Sequence, residues 1–103
     1  MIDALQRRLI VMALELEGQG VFEQRGIPVL YCGVGKVNAA YVLTRRLADY
    51  RHVGAALPHV INFGTAGSRR HPTGTVVECH AFVQRDMDVS GLGVPLEIGR
   101  AHV

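Results

Sequence analysis

Leu9-Ile10-Val11-Met12-Ala13-Leu14 is a continuous apolar run, preceded by Arg7-Arg8 and followed by Glu15, Glu17 and Gly18. A run of this kind, bounded by charge and glycine, is the pattern of a strand buried on both faces, as inside a parallel sheet. The same residues also fit a helix over 3–16, because Asp3 can cap it and Leu5, Leu9 and Met12 recur at helical spacing. Periodicity alone leaves the two readings even.

Outward from this run the punctuation is clearer. Residues 21–24 and Val29-Leu30-Tyr31-Cys32 read as two short strands around the turn Arg25-Gly26-Ile27-Pro28, forming a hairpin. Gly33 and Gly35 break the second strand, and a helix is predicted over 37–50, with Val37, Ala40, Tyr41, Leu43, Leu47 and Ala48 as its apolar stripe and Arg45, Arg46 and Asp49 mostly off it. Residues 53–58 form a connector. His59-Val60-Ile61-Asn62-Phe63 is a compact strand that ends in the small-residue turn Gly64-Thr65-Ala66-Gly67-Ser68. The loop Arg69-Arg70-His71-Pro72-Thr73-Gly74 leads into residues 75–84, rich in Val and Phe and predicted to be another strand of the same sheet.

The 103 residues suit a single domain, and 49% of them are hydrophobic, enough for a small core. A formal net charge of +2 gives no basic field strong enough to drive nucleic-acid binding. Cys32 and Cys79 have neither the spacing of a metal knuckle nor that of a redox pair, so a reduced, cytoplasmic setting is expected. No apolar run approaches the ~20 residues that span a bilayer, and the start Met1-Ile2-Asp3 lacks the regions of a secretory signal. A soluble protein with no membrane partner is expected.

Three groups of residues stand at predicted strand ends, where open α/β sheets place their ligand sites. Glu15-Leu16-Glu17 follows the apolar run, and a carboxylate held there can accept a proton or position a water; solvated acids opening a loop look the same in sequence. Cys32-Gly33-Val34-Gly35-Lys36-Val37-Asn38-Ala39-Ala40 puts a glycine turn between strand and helix, whose bare amides can approach an anion or a sugar. It is not a dinucleotide fingerprint, since Asn38 stands where the third glycine belongs. In Asn62-Phe63-Gly64-Thr65-Ala66-Gly67-Ser68 small residues admit a ligand to the backbone and Thr65 offers a hydroxyl. His59 and His80 fall in predicted strands and read as core or edge histidines, and Lys36 as a residue that stabilises a turn.

Together these segments resemble the nucleoside phosphorylase and nucleosidase superfamily, most closely its methylthioadenosine/S-adenosylhomocysteine nucleosidase branch. The likeness runs from about Leu9 to Gly93. Gly33-Val34-Gly35-Lys36-Val37 is similar to the family's Gly-Ile-Gly-Lys-Val, Ile61-Asn62-Phe63-Gly64-Thr65-Ala66-Gly67 to its Ile-Asn-Thr-Gly-Ser-Ala-Gly, and Asp86-Met87-Asp88-Val89-Ser90-Gly91-Leu92-Gly93 to its Asp-Ala-Asp-Val-Thr-Ala-Phe-Gly. The resemblance implies a strand for the opening run, and a three-layer α/β/α sandwich with a central mixed sheet, truncated here. It implies hydrolysis of the N-glycosidic bond of a small-molecule purine nucleoside through an oxocarbenium-like sugar, with no metal or organic cofactor, in a homodimer. By the same register Glu17 orients the attacking water, Thr65 supplies the hydroxyl beside it, and Val34 lies against the ribose or base. Gly33, Gly35, Ala66 and Gly67 give the backbone close access to substrate. Val89 and Leu92 help close the neighbouring subunit's pocket around the 5′ substituent, with Leu92 in place of an aromatic. The acid that protonates the purine lies, in the family, far downstream of this segment.

Arg69-Arg70-His71 departs from the apolar loop usual in the nucleosidases and can meet a phosphate, which keeps a phosphorolytic purine nucleoside phosphorylase as an alternative. A non-catalytic nucleotide-binding module, with the glycine turns merely cradling a ligand, is another. Residues 97–103 back-translate to GAG ATC GGA AGA GCA CAC GTC, which apart from its first base reads as a common sequencing-library adapter. The expected organisation is therefore residues 1–96 as the N-terminal part of one phosphorylase-like domain and 97–103 as a non-native read-through tail. A sheet truncated there leaves an edge and apolar faces uncovered. The 103 residues expressed alone are expected to aggregate, as read by size-exclusion chromatography; a monomeric sample that melts cooperatively contradicts this.

Overall fold

The structure is a computed structural model that describes residues 6–100; Asp3 and the last three residues, 101–103, lie outside the described residues. The chain divides after Gly67 into two compact units.

The first unit is built on β1 (Arg8–Met12), so the apolar run is a strand and not a helix. It is followed by two four-residue helices, α1 (Glu15–Gly18) and α2 (Val21–Gln24), then β2 (Val29–Tyr31), the long helix α3 (Lys36–His52) and β3 (His59–Asn62). The sheet order is β2-β1-β3 with every strand parallel. Ile10, Val11 and Met12 stand opposite Val29, Leu30 and Tyr31 on one side, and Leu9, Ile10 and Val11 opposite Val60, Ile61 and Asn62 on the other.

The central position of β1 explains its unbroken hydrophobicity, since both of its faces meet other residues. Leu9 and Val11 point to one face and are buried with Cys32, covered by Ala39, Val42 and Leu43 of α3 and flanked by Leu30 and Val60. Met12 points the other way and is fully buried. A Cβ on Gly18 of α1 would come within 3.3 Å of its sulfur and 3.8 Å of the Tyr31 hydroxyl, so a larger residue there requires the Met12 side chain to give by a few tenths of an ångström. Tyr50, also buried, donates its hydroxyl to the Gln6 carbonyl (2.5 Å) and ties the end of α3 to the entry of β1.

Several expectations are corrected. Residues 21–24 are helical, and β2 runs parallel to β1, which rules out a hairpin because parallel neighbours need a crossover. Four residues are too few for periodicity to separate helix from strand. Left-handed backbone at Gln19 (φ 50°) and Gly20 (φ 74°) ends α1 and restarts the chain as α2. The long helix forms as predicted, with its inward stripe turned: Ala39, Val42 and Leu43 pack on the core, whereas Val37 and Tyr41 are 77% and 61% exposed. Only Ala81–Val83 of the segment 75–84 is a strand, and it does not join the parallel sheet.

That strand, β4, belongs to the second unit, where it pairs antiparallel with β5 (Glu97–Arg100) across an irregularity at Phe82/Val83. A short 3-10 turn, Ser90–Leu92, lies between them. The chain is thus mixed α/β, with a three-stranded parallel sheet in one unit and a two-stranded sheet in the other. No helix among the described residues is long and apolar enough to cross a membrane.

The turn from β2 into α3 demands glycine. Gly35 has φ 97° and ψ 154°, a region essentially closed to residues with a Cβ. In the full-length gene product, Gly35→Ala is expected to lower the unfolding free energy by about 1–3 kcal/mol. Gly91→Ala, where a Cβ meets nothing and φ is ordinary, should change it by less than about 0.5 kcal/mol. Denaturant titration reads both, and a Gly35→Ala protein as stable as its parent contradicts the turn geometry.

Candidate active site

Because all three strands run the same way, their carboxyl ends lie along one edge of the sheet. Backbone bonds carry the pairing slightly beyond the strands: Cys32 N–H to the Met12 carbonyl (2.9 Å), Gly33 N–H to the Ala13 carbonyl (2.9 Å) and Phe63 N–H to the Val11 carbonyl (3.0 Å). The segments that follow β1, β2 and β3 therefore emerge together. The order β2-β1-β3 sends the chain from β1 to one side and then across to the other, which makes the β1/β3 crevice the switch point where such sheets bind ligands.

Glu17 and Thr65 meet across that crevice. Glu17 Oε2 accepts both the Thr65 hydroxyl (2.6 Å) and the Thr65 backbone N–H (3.0 Å). Its Oε1 accepts the backbone N–H of Leu14 (3.0 Å), the residue that caps α1. An ionised carboxylate offers about four acceptor positions, so these bonds leave roughly one, on Oε1. A Cβ on Gly64 would stand 3.4 Å from Oε2, so the small residue before Thr65 keeps the approach clear.

The hydrogen bonds extend the pH range over which Glu17 stays ionised. The Thr65 hydroxyl, then the Thr65 and Leu14 amides, hold its carboxyl below the usual glutamate range, and slight desolvation opposes them weakly. Glu17 is therefore an anion at neutral pH, suited to accept a proton or orient a water and unsuited to act as a general acid.

Beside this pair lies the β2–α3 turn. Gly33 and Gly35 both have positive φ, 80° and 97°. Asn38 donates its side-chain amide to the Val34 carbonyl (2.8 Å), which pins the turn and leaves the Val34 side chain 66% exposed. Ala66 and Gly67 continue from Thr65 as exposed, irregular chain. Val89 and Leu92 belong to the second unit, at the head and end of its 3-10 turn, where Leu92 is 84% exposed. In that unit Asp88 accepts the Ser90 N–H (2.9 Å), and the Ser90 hydroxyl and amide hold its carboxyl low.

Other candidates have simpler roles. Cys32 is in the core and Cys79 is exposed, both as free thiols. His59 is an exposed residue of β3, and His80 precedes β4, 3.6 Å from Glu78. The Ser68 hydroxyl accepts the N–H groups of Arg70 and His71 (3.0 and 3.2 Å), a local turn. Three features escape a reading of the sequence. Asn38 looked only like a missing glycine. The Tyr31 hydroxyl donates to Glu23, which pushes the phenol up to about 12. The rings of Phe22 and Phe63 meet edge to face, 5.6 Å apart at 81°. Each joins residues far apart in sequence or is hidden in a motif position, so composition gives no sign of it. An open groove lies elsewhere, at the amino ends of the strands, lined by Ile10, Ile27, Pro28 and Ile61 together with Arg7, Arg8 and His59.

No family model matches the chain, and no solved structure matches it. Over 76 residues it is 37% identical to the 5′-methylthioadenosine/S-adenosylhomocysteine nucleosidase of Marinomonas sp. (strain MWYL1), across 72% of this chain and 31% of that protein. The chain thus spans about a third of the length of the relative it matches, a similarity that supports a relationship to the nucleosidases.

Proposed function

We propose that the protein is a purine nucleosidase that hydrolyses the N-glycosidic bond of 5′-modified adenosines such as 5′-methylthioadenosine or S-adenosylhomocysteine. The observation that carries this reading is the Glu17 carboxylate, held ionised by Thr65 at the β1/β3 crevice with one acceptor position open on Oε1. A water donating to that position is oriented by Glu17, which takes up its proton as the water attacks the anomeric carbon of an oxocarbenium-like sugar. Protonating the departing purine is the task of a second group, since Glu17 is already ionised. The exposed Val34 side chain lies against the ribose or base, and Gly33, Gly35, Ala66 and Gly67 let the backbone approach it.

The remaining features extend the same reading. The parallel sheet is part of a three-layer α/β/α sandwich, and the protein acts as a cytoplasmic homodimer. In it Val89 and Leu92 close the partner's pocket around the 5′ substituent.

The test follows base release by chromatography from methylthioadenosine, S-adenosylhomocysteine, inosine and adenosine, with and without phosphate, using the full-length gene product from its native locus. Release without phosphate is expected, with Glu17→Gln slower by about 10²–10⁴-fold. A requirement for phosphate converts the assignment to a phosphorylase. A folded protein that releases no base is a binding module instead.

The pH profile carries the sign of the Glu17 shift. Its carboxyl is held below the ordinary range, so activity that needs the anion persists as pH falls through the usual glutamate pKa of about 4.3 and is lost only below it. Thr65→Val removes the largest of the stabilising bonds and is expected to move the acid limb upward. An acid limb that stays in place in Thr65→Val argues against Glu17 as the group that titrates.

A further inference from the structure

We propose that the edge-to-face contact between Phe22 and Phe63 is the positioning device for the Glu17–Thr65 pair, holding the segment after β1 against the segment after β3 so that the carboxylate and hydroxyl meet. The inference rests on the nucleosidase reading for its kinetic consequence, though not for its geometry.

Glu17 and Thr65 are 48 residues apart in the chain and belong to segments that have left the sheet. On the β3 side the pairing with β1 ends at the Phe63 N–H to Val11 carbonyl bond, and residues 64 and 65 continue as irregular chain. On the β1 side Glu17 lies in a four-residue helix, with left-handed residues at Gln19 and Gly20 before α2. A helix this short has little stability of its own. Gly18 packed on Met12 and the Tyr31–Glu23 bond tie α1 and α2 to β1 and β2, but neither reaches the segment after β3, which carries Thr65.

Phe22 and Phe63 flank this bridge. Phe63 is the last residue held by the sheet and stands two positions before Thr65. Phe22 is in α2, and its carbonyl accepts the N–H groups of Arg25 (3.0 Å) and Ile27 (2.9 Å), which fixes the turn around it. Rings at 5.6 Å and 81° adopt the favourable T-shaped arrangement, a directional contact that an aliphatic side chain does not reproduce. Phe63 is 41% exposed as a residue, so solvent exclusion is only part of its contribution. The rings act through the backbone they anchor.

The experiment titrates the Glu17 side-chain carboxyl by carbon-13 NMR in the full-length protein and in Phe22→Leu, with Phe22→Tyr as the ring-retaining control. The same proteins are assayed for base release from methylthioadenosine across pH. Phe22→Leu is expected to raise the Glu17 midpoint toward that of an ordinary glutamate and to lower kcat by roughly ten- to a hundredfold, with KM little changed. Phe22→Tyr should behave as the parent. Phe22→Leu placed on Thr65→Val should shift the midpoint less than it does alone, because the hydroxyl bond it disturbs is already gone. If Phe22→Leu does not fold, Phe63→Leu probes the same contact from the other side. An unchanged midpoint in folded Leu variants overturns the proposal. A shifted midpoint in a protein with no base-releasing activity upholds the positioning role and removes the nucleosidase reading instead.

Discussion

The structure of the first unit depends on one constraint: β1 is paired on both edges by parallel strands. Parallel pairing forbids tight hairpins and forces each connection to travel back over the sheet. The chain meets this with α1 and α2 between β1 and β2, and with α3 between β2 and β3. It also obliges every strand to finish at the same edge. Glu17, the Gly33–Gly35 turn and Thr65, drawn from three distant parts of the sequence, are neighbours for this reason. The ladder spaces the strands by about 4.8 Å, which brings the loops after β1 and β3 within reach of a single carboxylate.

How much of this can be read from the sequence varies with the kind of information involved. The continuous run at Leu9 fits strand and helix equally by its own pattern and is read as a strand only through the family resemblance, whereas α3 is long enough for its helical period to emerge. Its inward face is misread because Val37 and Tyr41 are apolar yet exposed, while small Ala39 faces the core. Residues 21–24 fail for a different reason: Val and Phe favour strands, but Phe22 finds a tertiary partner in Phe63, and Glu23 finds one in Tyr31, both from a helical backbone. Residues 75–84 are β-prone without being able to choose their sheet, and only Ala81–Val83 pairs. At the site, Glu17 and Thr65 stand out individually as polar groups at strand ends. The bond between them is invisible, because it is a property of the strand order.

The electrostatic character of the site follows from its hydrogen bonds. Three donors hold the Glu17 carboxyl below the ordinary glutamate range: a hydroxyl and an amide from Thr65 on one oxygen, and the Leu14 amide on the other. Neutral donors stabilise the anion without adding a positive charge to the crevice. In the proposed reaction positive charge develops on a sugar, and a cation beside the carboxylate would oppose it. The same donors that lower the proton affinity of Glu17 also make it a weaker base, and the compensation is orientation, with the open acceptor position on Oε1 set by the three that are filled.

The two ends of the sheet divide labour along the same lines. At the carboxyl end, polar groups converge and glycines expose the backbone. At the amino end, Ile10, Ile27, Pro28 and Ile61 floor an open groove whose rim carries Arg8 and His59. Its floor is aliphatic, and the polar side chains that line it, Gln6, Arg7, Arg8 and His59, include no carboxylate. Ile10 on its floor alternates with the buried Leu9 and Val11, so the groove lies on the sheet face opposite α3. Concavity measures where covering elements stop, whereas chemistry requires convergent donors and acceptors. The proposed nucleosidase chemistry is accordingly assigned to the carboxyl edge, where one carboxylate accepts from three donors on two segments.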